Sequence, residues 1–191
     1  KFTVNVGFRN IVIEDSILKL NGRRLIIKGV NRHEFSATKG RVMTREEIEE
    51  DIKLIKKHNF NAIRCSHYPN NHYFYDLCDK YGLLVCDEAA IETHGLWMFN
   101  KNNHMVLPGS DNYYKDFTVN RGKAMYYQNR LHPSIIMWSL GNESSSGNNL
   151  LALSEFLHSH DITRIIHYES IHSKEYENLS DISSTMYTLP N

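Results

Sequence analysis

The sequence has no excess charge of either sign. Lys and Arg number 22 and Asp and Glu number 22 in 191 residues. A nucleic-acid footprint built on bulk positive charge is therefore excluded. Long hydrophobic runs are also missing. The longest are four residues, such as Leu83 to Cys86 and Ile135 to Trp138. A spanning helix needs about 20 apolar residues, so no membrane segment is expected. Cysteine is scarce, with Cys65, Cys78 and Cys86 alone, and no CxxC occurs. An odd count without that spacing points to neither a disulfide framework nor a cysteine zinc site. Free thiols fit a reducing compartment, so a cytoplasmic location is expected. The first residues, KFTVNV, show no secretory pattern and no initiator Met, as if cut from a longer chain.

What is present is an ordinary globular balance, with 41% hydrophobic residues and 11 histidines. Residues 1–22 read as β structure. Phe2, Val4 and Val6 alternate with polar residues, two further apolar runs follow, and Asn21-Gly22 marks a turn. This piece is too short for a domain and reads as the last strands of a β-sandwich. From residue 23 onward strands and helices alternate. Strands are expected at 24–30, 62–65, 83–86, 135–140, 165–168 and 183–187. Helices are expected from the Thr44–Glu47 capping box, over 72–81 before Gly82, and at about 113–131 and 149–158. The helix after Thr44 carries Ile48, Ile52 and Ile55 at helical spacing, with Leu54 widening the stripe.

Strand–helix repeats imply a parallel sheet. A doubly wound nucleotide binder would carry GxGxxG after its first strand, whereas Gly29-Val30-Asn31-Arg32-His33-Glu34 stands there. The expected fold is thus α/β, a (β/α)8 TIM-barrel that is incomplete at about six strands.

Barrels of this kind place their chemistry at the C-terminal ends of the strands. Polar residues collect there, although loops are polar in any case. Glu143 ends an apolar strand, where a carboxylic acid can protonate a leaving oxygen or simply cap the next turn. Asn142 beside it can hydrogen-bond a substrate hydroxyl. Glu92 and His94, two apart, face one side of an extended segment. With Glu143 they suit a divalent cation, magnesium by oxygen ligands or manganese with the imidazole. A salt bridge within the loop is the plainer reading of that spacing. His33 and His67 end neighbouring strands and suit a polar, uncharged ligand. Tyr68, Trp97 and Tyr187 could border it. Arg64 suits a carboxylate, with Asp87 and Glu88 as candidates.

Four segments, NGRRLIIKGVNRHEF, NFNAIRCSHYPN, YGLLVCDEAAIETHG and HPSIIMWSLGNES, together resemble the catalytic barrel of glycoside hydrolase family 2. The likeness is greatest to its large bacterial β-galactosidases, and GNES rather than NEP favours these over the β-glucuronidases. The resemblance implies a retaining hydrolase of lactose-like β-D-galactosides, in a parent that is a homo-oligomer. It implies that Glu143 is the general acid/base and that Glu92, His94 and Glu143 hold Mg2+. It implies that His33 and His67 contact the galactosyl ring, that Asn142 touches its 2-hydroxyl, and that Tyr187 lies beside the nucleophile. It also implies an immunoglobulin-like identity for residues 1–22 and a barrel over 23–191.

The family's attacking carboxylate sits in a CEY-like motif, and no CEY occurs here. The expectation is a fragment with the acid/base and without the nucleophile, and with negligible turnover alone. The alternatives are a non-catalytic sugar- or metal-binding fragment and a related β-glucuronidase or β-mannosidase.

Overall fold

The computed structural model describes residues 6–98, 107–169 and 174–187. The chain opens with a three-stranded antiparallel sheet, β1 (Ile11–Glu14), β2 (Ile17–Leu20) and β3 (Arg23–Arg24). Both of its hairpins turn over two residues with positive φ, Asp15-Ser16 and Asn21-Gly22. That is the type I′ geometry whose twist suits paired strands. The sheet extends through Arg24, two residues beyond the expected boundary. The two units are in contact. Ile11, backed by Leu18 and Leu20, packs on Ile136, Met137 and Ile165, and Arg9 donates to the carbonyls of Pro133 and Ile135.

The second sheet is β4 (Gly29–Arg32), β5 (Ala62–Cys65), β6 (Leu84–Glu88), β7 (Ile135–Ser139) and β8 (Ile165–His167). All pairs are parallel, and spatial order equals chain order. A doubly wound sheet reverses its order at a switch point. This one does not, so it is an arc of an eight-stranded barrel with five strands among the described residues.

Four helices cross between the strands, α1 (Arg45–Lys57), α2 (His72–Tyr81), α3 (Lys115–Asn129) and α4 (Asn148–His160). α1 starts at the expected capping box, in which Thr44 and Glu47 exchange side-chain and backbone bonds. α2 ends at Gly82 in the left-handed region, φ 67°. The helices bury Ile48, Ile52, Phe74, Leu77, Met125, Leu150, Leu153 and Leu157 against Ile63, Val85, Trp138 and Ile166. Among the described residues no helix is long and apolar enough to cross a membrane.

Three expectations differ from the structure. The strand expected at 24–30 lies at 29–32. Ile26 and Ile27 are 58% and 44% exposed, in a link held by the Asn61 side chain through the Lys28 amide and the Ile26 carbonyl. No strand forms at 183–187. The edge of β8 is occupied instead by Asp181, whose amide donates to the Ile166 carbonyl and whose carboxylate accepts the Ile166 amide. Leu54 is exposed and does not widen the buried stripe of α1.

Candidate active site

The expected site residues converge at the C-terminal ends of the strands, around a cavity of about 640 Å³. Its wall includes His33 after β4, Arg64 and His67 from the end of β5, Glu92 after β6, and Asn142 and Glu143 after β7. Tyr187 completes it from the chain beyond β8. Trp97 is outside the described side chains. Tyr68 borders the group, its ring facing His33 and covered by Arg41, and its hydroxyl accepts the Glu34 amide.

Gly141 makes the meeting of β6 and β7 possible. Its φ is +145°, and a Cβ there would lie 2.5 Å from the Ile91 carbonyl oxygen. Without one, Asn142 donates its amide to Ile91, and Glu92 bridges to Asn142 as in a parallel strand. That register brings three donors together. His94 Nδ1 lies 3.1 Å from Glu143 Oε2 and 3.7 Å from Glu92 Oε1, and the three ligand atoms are all within 4.8 Å of one another. Adjacent ligands on a six-coordinate ion with 2.0–2.1 Å bonds stand about 3 Å apart, so this donor set fits magnesium or manganese. Asn142 Nδ2 donates to Glu92 Oε1 at 2.9 Å and steadies that carboxylate. Tyr187 Oη donates to the other oxygen of Glu143 at 3.4 Å.

A second network lies beneath. Glu88 is fully buried and takes three donors: Arg64 Nε at 2.6 Å, His67 Nδ1 at 2.6 Å and Ser139 Oγ at 2.7 Å. Arg64 also donates to Asn142 Oδ1 at 2.9 Å, so it joins the two networks. Burial would depress the Arg64 guanidinium, but the Glu88 charge and hydrogen bond outweigh it and hold its pKa up. His67 is thereby fixed through Nδ1, which leaves Nε2 for a ligand, and its ring meets His33 edge-on at 5.4 Å. Arg64 and Glu88 form the ion pair that their types suggested.

Two of the wall residues to which the sequence assigned no role make contacts that shape the site. His167 is buried at the end of β8 between Ser139 and Ser184. Burial, and then the Arg64 charge, push its pKa down to about 4. It reads as one more residue of an apolar strand, and only its place in the sheet turns it to the cavity. Glu169, also buried, accepts the Glu143 amide at 2.6 Å. Its position after a strand was visible in the sequence, but its partner was not.

Comparison with known proteins gives the family of the fold. The family model for the TIM-barrel domain of glycosyl hydrolases family 2 matches residues 11–190. A β-galactosidase of Priestia megaterium (strain DSM 319 / IMG 1521) is 47% identical over 97% of this chain. A β-galactosidase of Bifidobacterium adolescentis is 46% identical over the same share. The chain spans 18% of the length of each. Among solved structures, a glycosyl hydrolase family 2 member from Bacteroides cellulosilyticus DSM 14838 superimposes with a TM-score of 0.75 at 27% identity, over 94% of this chain and 24% of that one. From fold and sequence alike, the chain belongs to glycosyl hydrolase family 2.

Proposed function

We propose that this chain carries the proton-donor half of the active site of a retaining β-galactosidase, acting on terminal β-D-galactosides such as lactose. The observation that carries the reading is the grouping of Glu143, Glu92 and His94 beyond the ends of β6 and β7, with the two carboxylates on the wall of the cavity of about 640 Å³. Glu143 protonates the glycosidic oxygen as the bond to the leaving group breaks. A second carboxylate attacks the anomeric carbon, and in a retaining enzyme it stands about 5–5.5 Å from the first. The resemblance puts that carboxylate in a CEY-like segment, which this sequence does not contain. Glu143 then takes a proton from the water that releases the sugar.

His67 and His33 would offer ring nitrogens to sugar hydroxyls, and Asn142, held by Arg64 and Glu92, would contact the 2-hydroxyl that the resemblance gives it. Magnesium or manganese bound by Glu92, His94 and Glu143 would offset their negative charge and fix the orientation of Glu143. An uncharged sugar is favoured over a uronate. Among the described residues, the one guanidinium in the cavity wall, that of Arg64, is already neutralised by Glu88.

The test compares Glu143→Gln with the unchanged protein, both produced from the complete reading frame. Lactose, a poor leaving-group substrate, should lose roughly 100- to 10,000-fold in rate. In kcat/KM, which reports the first step, a dinitrophenyl β-D-galactoside, whose leaving group needs no proton, should lose far less. Equal losses on the two substrates would overturn the assignment.

A further inference from the structure

Glu143 is held in an unusual backbone conformation, with φ at 36°, in the left-handed region that non-glycine residues rarely occupy. Such a conformation persists only where its surroundings impose it. Here the surroundings are two consecutive residues after β8. Tyr168 Oη accepts the Ser144 amide at 3.1 Å and donates to the Ser144 carbonyl. Glu169 Oε1 accepts the Glu143 amide at 2.6 Å, a short bond. Glu169 is 7% exposed, and its Oε2 is buried and has no hydrogen-bond partner among the described residues. A buried carboxylate is costly to keep. Its charge helps to hold up the pKa of the Arg64 guanidinium, and its direct hydrogen bond is to one amide, that of Glu143.

We infer that Glu169 is a positioning residue: through the Glu143 amide it fixes the backbone turn that aims the Glu143 carboxyl into the cavity. This rests on the reading of Glu143 as the proton donor. The chain following β8 grips the end of β7, so the donor is held from the next strand as well as from its own. The essential feature is an acceptor oxygen at the right depth, and the charge of Glu169 is secondary.

Two conservative variants separate these elements in the protein from the complete reading frame. Glu169→Gln keeps an acceptor oxygen at the same reach. Glu169→Asp keeps the charge but withdraws the acceptor by about 1.5 Å, one carbon–carbon bond. The readout is kcat/KM on lactose against kcat/KM on a dinitrophenyl galactoside. For Glu169→Asp the expectation is a loss on the order of 10- to 100-fold on lactose, the effect of misplacing a catalytic group by about 1 Å, with little loss on the activated substrate. Glu169→Gln should stay close to the unchanged protein on both.

A purely structural role would lower both substrates together, or abolish folding of Glu169→Asp, and either result overturns the inference. So would a loss in Glu169→Gln matching that in Glu169→Asp. Glu143→Gln, run beside them, tells the two failures apart. If it discriminates between the substrates and Glu169→Asp does not, Glu169 alone is misassigned. If Glu143→Gln does not discriminate, the proton-donor reading itself fails.

Discussion

Glu88 shows how one buried carboxylate organises the floor of the site. It has no solvent contact and three donors, and one of them, Arg64, reaches on to Asn142. Breaking a buried ion pair from one side leaves an uncompensated charge. Glu88→Ala is therefore expected to destabilise the fold by about 3–5 kcal/mol, measurable by urea unfolding. A loss below about 1 kcal/mol would mean that water replaces the carboxylate.

His167 gives a pH-dependent expectation. Its folded pKa of about 4 lies below the ordinary 6.5, so the folded state binds fewer protons than the unfolded state between those values. Stability is then complete above about pH 6.5 and is lost as pH falls through about 4, by about 3 kcal/mol at 1.36 kcal/mol per pH unit. Buried Asp87, pushed up to about 6, acts in the opposite sense, since its contribution is lost as pH rises through that value. The whole profile is therefore flattened, and a difference measurement is needed. The stability gap between the unchanged chain and His167→Asn should narrow as pH falls from 7 to 4, and a constant gap would contradict the burial of a neutral imidazole.

At this scale Glu143, Glu92 and His94 were singled out by the resemblance to family 2, since the spacing of Glu92 and His94 alone read as a salt bridge within the loop. Glu169 and His167 were not, because their roles depend on contacts made across 26 and 28 residues of chain.

The elements were legible where local chemistry fixes them. Asn21-Gly22 turns because both residues accept positive φ, and α1 begins where Thr44 and Glu47 satisfy each other's amides. They were illegible where a tertiary partner decides. The apolar run Leu25 to Ile27 has the composition of a strand, but it serves as the link between two sheets. Residues 183–187 have the pattern of a strand but find the edge of β8 already used by Asp181.

The junction of β6 and β7 is another such place, since nothing in the string Leu140-Gly141-Asn142 says that a second backbone passes within contact distance. Gly141→Ala forces a side chain onto the Ile91 carbonyl and into an unfavourable φ. The strain alone is worth about 1–3 kcal/mol. The expected result is a lowered urea midpoint together with weakened Mn2+ binding by calorimetry, because Glu92 loses its register with Asn142. Unchanged metal affinity would separate the glycine from the site.

For the whole molecule, the sequential order of five parallel strands sets the outer face of β4 as an edge with no strand partner among the described residues. Such edges pair with other chains. The 191-residue chain by itself is expected to self-associate with concentration in sedimentation velocity, and a monomer at every concentration would contradict that. The same order places every βα loop at one end. A list of polar residues after strands could therefore be read as one site before any coordinates were known.

The measurement that bears most directly on Glu143 is trapping with azide. With Glu143→Gly in the protein from the complete reading frame, azide can enter where the carboxylate stood and displace the enzyme carboxylate from the anomeric carbon without needing a general base. The account predicts that azide restores turnover of a dinitrophenyl galactoside and yields the β-galactosyl azide. Turnover indifferent to azide, with galactose as the sole product, would contradict it.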